Sequence, residues 1–218
     1  MKKRIGVLLS GAGVFDGSEI HEATLTLLYI DKYGGESVCF APAGNLSVVD
    51  HLTKKETGEA RNVLRESARI ARGEILDISE ADKTSLDAVI LPGGFGAVKN
   101  LCDYALTGRN CTVIPEVKDL IISFINEKKP IGAMCIAPVV VAASLKDQNV
   151  HPVLTIGSDM STADDIEFFG AKHKSAAVDE IVVDEENRIV STPAYMLGPG
   201  IADIAKGIEK LVRFIIEW

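Results

Sequence analysis

An α/β fold with a mostly parallel central sheet is predicted by three features of the chain. Short apolar runs alternate with longer amphipathic stretches. The runs are bounded by glycine or proline, as suits parallel strands covered on both faces. No internal repeat, linker or low-complexity tract breaks the alternation, so residues 1–218 are expected to form one domain. The 218 residues, 47% hydrophobic and 25% charged, are enough for one substantial core.

The elements follow in order. Arg4–Leu9 is the first strand, and Ser10–Gly17 joins it to a helix over Glu19–Tyr33. That helix carries Ile20, Ala23, Leu27 and Ile30 on one face and ends at Gly34-Gly35. Ser37–Phe40 is the second strand and Arg61–Ala71 the second helix. Ala88–Leu91 is a strand that ends in Pro92-Gly93-Gly94, with a helical stretch over Ala97–Tyr104. Pro115–Glu127 is a helix with proline near its start. Pro130–Met134 is a strand running directly into a helix over Ile136–Leu145. Val153–Gly157 is a short strand, and Ser161-Thr162-Ala163-Asp164 opens another helix. Ile181–Val183 and Arg188–Val190 read as an antiparallel hairpin. Ile201–Glu217 is a closing amphipathic helix whose Phe214, Ile215 and Trp218 mark a candidate interface.

Charge narrows the function. Lys and Arg number 23 against 31 Asp and Glu, a net charge of −8. A surface of that sign disfavours nucleic acid and anionic membranes. The run Ile5–Leu9 is too short for a secretory signal, and no stretch has the length of a membrane span. A cytoplasmic location is expected. Cys39, Cys102, Cys111 and Cys135 show neither CxxC nor zinc-ligand spacing, so no disulfide framework is expected. The Asn45 and Asn110 glycosylation patterns are chance matches.

Three segments carry candidate chemistry. In Gly132-Ala133-Met134-Cys135-Ile136-Ala137-Pro138, Cys135 stands where strand becomes helix. That is the position of a nucleophile elbow, where helix N–H groups favour thiolate. A buried cysteine serving as a small hydrophobe is the plainer reading. In Leu91-Pro92-Gly93-Gly94-Phe95-Gly96 the glycines let backbone N–H groups approach a developing oxyanion, though the same turn can be merely conformational. In Ser10–Glu22 the acids Glu19 and Glu22 fall in the first helical turn. They either complement the helix dipole or supply a general base. Gly11-x-Gly13 fails the dinucleotide pattern because Asp16 replaces the third glycine. Of the histidines, His21 could line a site, His151 is a doubtful thiol partner, and His51 and His173 are expected to be solvated. Cys39 is expected in the core, while Cys102 and Cys111 flank a polar loop.

Together these segments resemble the ThiJ/PfpI superfamily, with its class I glutamine amidotransferase-like fold. LLSGAGVFDGSEIHEA, the HLTKKETGEARNVLRESARIARGEI stretch, LPGGFGAVKNL, GAMCIAP, LTIGSD and DEIVVDEENRIVSTPAYM are similar to the ElbB-type (ES-one) family, the isoprenoid-biosynthesis-associated glyoxalases, over essentially the whole chain. The resemblance implies a flavodoxin-like three-layer sandwich, often dimeric. It implies Cys135 as nucleophile, Glu22 rather than Glu19 as its acid/base, and the N–H groups of Gly94 and Ile136 as an oxyanion hole. His21, Glu19 and Gly93 would lie nearby. The implied reaction converts glyoxal or methylglyoxal, small dicarbonyls, to glycolate or lactate with no cofactor and no metal. A proton shared between Glu22 and Cys135 is expected to lower the thiol pKa. The histidine that follows the elbow in related proteases and amidotransferases has no counterpart, since Gly157 occupies its place. A partner-dependent amidotransferase and a redox-sensing module are the rival readings.

Overall fold

The computed structural model describes residues 2–218. Its elements are β1 (Arg4–Leu8), α1 (Ile20–Lys32), β2 (Glu36–Ala41), β3 (Asn45–Asp50), β4 (Lys55–Asn62), α2 (Val63–Ile70), β5 (Ile75–Asp77), β6 (Ala88–Leu91), α3 (Phe95–Asn100), α4 (Tyr104–Thr107), α5 (Pro115–Asn126), β7 (Ile131–Met134), α6 (Ala137–Leu145), β8 (Val153–Leu154), α7 (Met160–Phe168), β9 (Lys172–His173), β10 (Val182–Asp184), β11 (Ile189–Thr192) and α8 (Ile201–Glu217).

Seven strands form the main sheet in the order β10-β11-β7-β6-β1-β2-β5. All neighbours are parallel except β10, which pairs antiparallel with β11. Alternate residues of each strand face opposite layers. Leu8, Val89, Leu91, Ile131 and Ala133 pack with α3, α5, α6 and α7 on one face. Val7, Ile90 and Met134 pack with α1, α2 and α8 on the other. The architecture is the expected three-layer α/β sandwich. Every side chain of α6 is buried, so its apolar run has no polar face to show.

From β1 the chain moves outward to β2 and β5, then crosses back to β6 on the other side of β1. The loops leaving β1 and β6 therefore diverge. In open sheets a crevice opens at such a reversal, beyond the carboxyl ends of the strands. The loop after β7 lies beside it.

Several local expectations change. The second helix begins at Val63, capped by Asn62, because Lys55–Asn62 is a strand. That strand pairs with β3 as a hairpin standing apart from the main sheet. α7 begins at Met160, and its cap is Asp159, which accepts a 2.9 Å bond from Thr162 N–H. The helix after the glycine turn stops at Asn100, and Tyr104 starts a separate turn of helix. Ile215 is fully buried against the sheet, and Phe214 and Trp218 meet edge to face with Arg188 over the indole. Ile215 is therefore closed to a partner, while Phe214 and Trp218 stay partly exposed. No helix among the described residues is long and apolar enough to cross a membrane.

Candidate active site

The elbow has the strain its position implies. Cys135 adopts φ +57°, a left-handed conformation that costs a non-glycine residue about 1–2 kcal/mol. β7 ends at Met134 and α6 starts at Ala137, so two residues reverse the chain direction. The Cys135 N–H donates to Thr192 O at 3.1 Å, which ties the bend to the end of β11.

The glycine turn after β6 folds over this cysteine. A Cβ on Gly93 would lie 2.5 Å from Cys135 Cβ and 2.7 Å from Glu22 Oε2, so only glycine fits. Gly94, at φ +93°, and Gly96 both press against the Gly17–Glu19 backbone. Gly93 O also accepts from Glu19 N–H at 2.9 Å. The loops from β1 and β6 are therefore locked together backbone to backbone.

Glu22 is fully buried. Its Oε2 accepts from Gly93 N–H at 2.9 Å, and its Oε1 accepts from Tyr195 N–H at 3.2 Å. It lies beside the Cys135 side chain, both packed against Gly93. Burial, helped by the nearby charge of Glu19, pushes the Glu22 carboxyl up to about 8 despite those two donors. Burial also pushes the Cys135 thiol well above its ordinary value, and the charge of Glu22 adds to this. The backbone N–H groups of Gly94 and Ile136 act in the opposite direction, toward thiolate. The expected lowering of the thiol by a shared proton is therefore corrected. Desolvation exceeds the help from the two N–H groups, and below about pH 8 the pair holds both protons.

Cys135 opens onto a cavity of about 520 Å³. Val14, Phe95, Val98, Tyr104, Ala105, Ile136 and Met196 supply apolar wall. Glu19, Asp159, Thr162 and Tyr195 supply the polar side chains, and the backbone of Gly94 completes the lining. Tyr195 enters from the segment after β11 and was missed by sequence reasoning. The signal for it was the proline that ends β11 at the same sheet edge as the glycine turn.

The remaining candidates distribute clearly. Glu19 caps α1, accepting from Glu22 N–H at 2.8 Å, and also lines the cavity. Gly93 lies beneath the cavity as a donor to Glu22. His21 stands outside the lining, with Nδ1 2.8 Å from Tyr195 Oη. His151 Nδ1 is held by Gly170 O at 2.8 Å, away from Cys135. Of the two histidines expected to be solvated, His51 is exposed and lies 3.8 Å from Asp16, whereas His173 is half-buried and its Nε2 accepts from Ile156 N–H at 3.4 Å. Gly157 adopts φ +95°, and Leu197 fills the space where a side chain would stand. Cys39 is in the core as expected, pushed up to about 11 by burial. Cys102 and Cys111 flank residues 103–110 as expected and are themselves buried, and burial pushes Cys102 up to about 12.

Known proteins resemble this chain along its length. A human glutamine amidotransferase-like class 1 domain-containing protein 3, mitochondrial, is 42% identical over 98% of this chain and 82% of its own. A rat ES1 protein homolog, mitochondrial, is 41% identical over 99% of this chain and 84% of its own. A crystal structure from Ehrlichia chaffeensis, described as an isoprenoid biosynthesis protein with amidotransferase-like domain, superposes with a TM-score of 0.91. It is 39% identical and covers 98% of this chain and 99% of that one. A glyoxalase III from Candida albicans shares the fold at a TM-score of 0.66 and 14% identity, covering 99% of this chain and 96% of that one. No protein-family model matches. The expectation of a cytoplasmic location is corrected, because the human and rat relatives are named as mitochondrial proteins. Charge and cysteine content describe the folded body and carry no compartment address, which is why composition misled.

Proposed function

From the premise that the chain belongs to the ES1, class 1 glutamine amidotransferase-like family, we propose that it is a cofactor-independent glyoxalase of the ElbB-type branch. The single observation that carries this reading is the buried Glu22–Cys135 pair, with Glu22 held by the N–H groups of Gly93 and Tyr195 and the Gly93 turn packed against both side chains. Residues 1–218 are taken to act as one domain. In support, the main sheet draws its strands from both halves of the chain. Pairing of two copies is proposed from the family resemblance alone.

The reacting form is the pair holding one proton, which passes from the Cys135 thiol to the Glu22 carboxylate as the sulfur attacks. The Cys135 sulfur adds to the aldehyde carbon of glyoxal or methylglyoxal, forming a C–S bond as the carbonyl π bond breaks. The Gly94 and Ile136 N–H groups stabilise the resulting oxyanion. Glu22 gives that oxygen its proton and becomes a carboxylate. It then takes the hydrogen from C1, giving an enediolate, and returns that proton to C2 while the C1 hydroxyl proton passes to the C2 oxygen. C1 is oxidised to a thioester and C2 reduced to an alcohol, so no external oxidant enters. Water cleaves the thioester with Glu22 as base, releasing glycolate or lactate and restoring the thiolate. A carboxyl held near pH 8 suits both giving and taking protons at neutral pH.

The amidotransferase alternative meets two obstacles. Among the described residues no histidine lines the cavity, and no Lys or Arg there could hold the carboxylate of glutamine. The test is methylglyoxal consumption by the metal-stripped protein beside Cys135→Ala. Turnover lost in the variant supports the proposal. Equal rates, or none in either, overturn it.

A further inference from the structure

The cavity is several times larger than methylglyoxal alone would fill. Methylglyoxal has five heavy atoms. Even at the roughly 30 Å³ that a molecule of liquid water occupies, five atoms claim about 150 Å³. The cavity holds about 520 Å³, within the range of sites that enclose much larger ligands. The surplus wall is apolar, formed by Val14, Phe95, Val98, Ala105 and Met196. Beyond it, Leu106 and Met160 sit on the two helices that also supply lining residues, and both are largely exposed.

Charge selects as well. Glu19 and Asp159 are the charged side chains of the lining, with no cation opposite them. The hydrogen bonds from Thr162 hold Asp159 below the usual carboxylate range, so it is ionised at neutral pH. Glu22 lies just behind Cys135. An anionic substrate would be desolvated among acids with nothing to pair with.

Resting on the glyoxalase reading, we propose that the site takes neutral 2-oxoaldehydes carrying an apolar substituent of about phenyl size, and that it excludes anionic carbonyl compounds. The same acids then work on the product. The substrate enters neutral, the product is a 2-hydroxy acid anion, and repulsion from Glu19 and Asp159 speeds its departure.

Two measurements test this on the intact protein. The first compares kcat/KM for phenylglyoxal and methylglyoxal. Phenylglyoxal is expected to win by about ten- to a hundredfold, the range for burying one aromatic group, and Phe95→Ala should reduce that advantage. The second follows alkylation of Cys135 by iodoacetamide and iodoacetate, each normalised to the same reagent acting on free cysteine. Iodoacetate should be at least about tenfold disfavoured. Asp159→Asn, which keeps a good helix cap, should relax that penalty severalfold. Methylglyoxal turned over as well as phenylglyoxal overturns the size selection and leaves the glyoxalase reading standing. Neither aldehyde turned over overturns the reading itself. Equal normalised alkylation by the two reagents overturns the charge selection in either case.

Discussion

Replacing Glu22 by Gln should make the folded chain more stable as pH rises, relative to wild type. In the unfolded chain this carboxyl ionises near its ordinary 4.5, whereas in the fold it keeps its proton to about pH 8. The folded state therefore binds the proton more tightly. Below pH 4.5 both states are protonated and ionisation costs the fold nothing. Above it the unfolded state gains a charge that the folded state cannot, and stability falls until the folded pKa is passed. At about 1.36 kcal/mol per pH decade, the burden at pH 7 is about 3 kcal/mol. Between pH 6 and 8 it grows by about 2 kcal/mol, bending over as the folded group begins to ionise. Glutamine removes this dependence. It also replaces one carboxylate oxygen with an amide nitrogen that cannot accept, so either Gly93 or Tyr195 loses its acceptor. That is a pH-independent loss of about 1–3 kcal/mol. Urea unfolding at pH 6, 7 and 8 separates the two effects. The expected result is a variant whose stability, relative to wild type, improves by about 2 kcal/mol across that window. A difference that stays flat with pH would refute a buried, protonated Glu22.

Other consequences follow from the same geometry. The rate of Cys135 alkylation by iodoacetamide should rise through about pH 8 and beyond as the pair gives up its protons, and a rate already at plateau by pH 6 would show a preformed thiolate. Gly93→Ala would put a methyl group into the space of Cys135 and Glu22, so alkylation should fall by at least about a hundredfold while circular dichroism keeps its α/β signature. Asp16 Oδ2 is the acceptor for Val49 N–H at 2.8 Å and anchors the β3–β4 hairpin, so Asp16→Ala should cost about 1–3 kcal/mol. Protease cleavage within 45–62 would accelerate with it. Ser67→Ala, which leaves the buried Gly11 N–H without its 2.8 Å acceptor, should lose a similar amount in thermal unfolding.

The legible parts of this fold were those where local pattern and burial agree. β1, β6 and β7 are apolar runs buried on both faces, and their sequences say so. The elbow was legible because a buried strand with no turn residue before the next helix leaves few ways to reverse the chain. The β3–β4 hairpin was not. Lys55–Asn62 reads as charged residues without apolar alternation, since seven of its eight residues are exposed and its pairing rests on backbone bonds to β3. The short edge strand β5 gave too little pattern to find. At the site, position singled out Cys135 and left Glu19 and Glu22 both open, and the family resemblance chose Glu22. Tyr195 and Asp159 could not be named, because each reaches the cavity from a distant segment through the ordering of strands in the sheet. The direction of the thiol shift was also hidden, since it depends on how completely the pair is closed off from water.

The left-handed bend at residue 135 also bears on descent. Glycine would relieve the backbone strain there, so the fold by itself gives no reason to keep a side chain at that corner. The proposed reaction is what would keep a cysteine at such a place. Where a descendant copy loses its chemistry, drift toward glycine at this corner is the downhill direction, and it should come before any decay of the surrounding core. The residue at position 135 therefore serves as a marker: among duplicated copies of this gene, glycine there would identify a retired one whose fold remains intact.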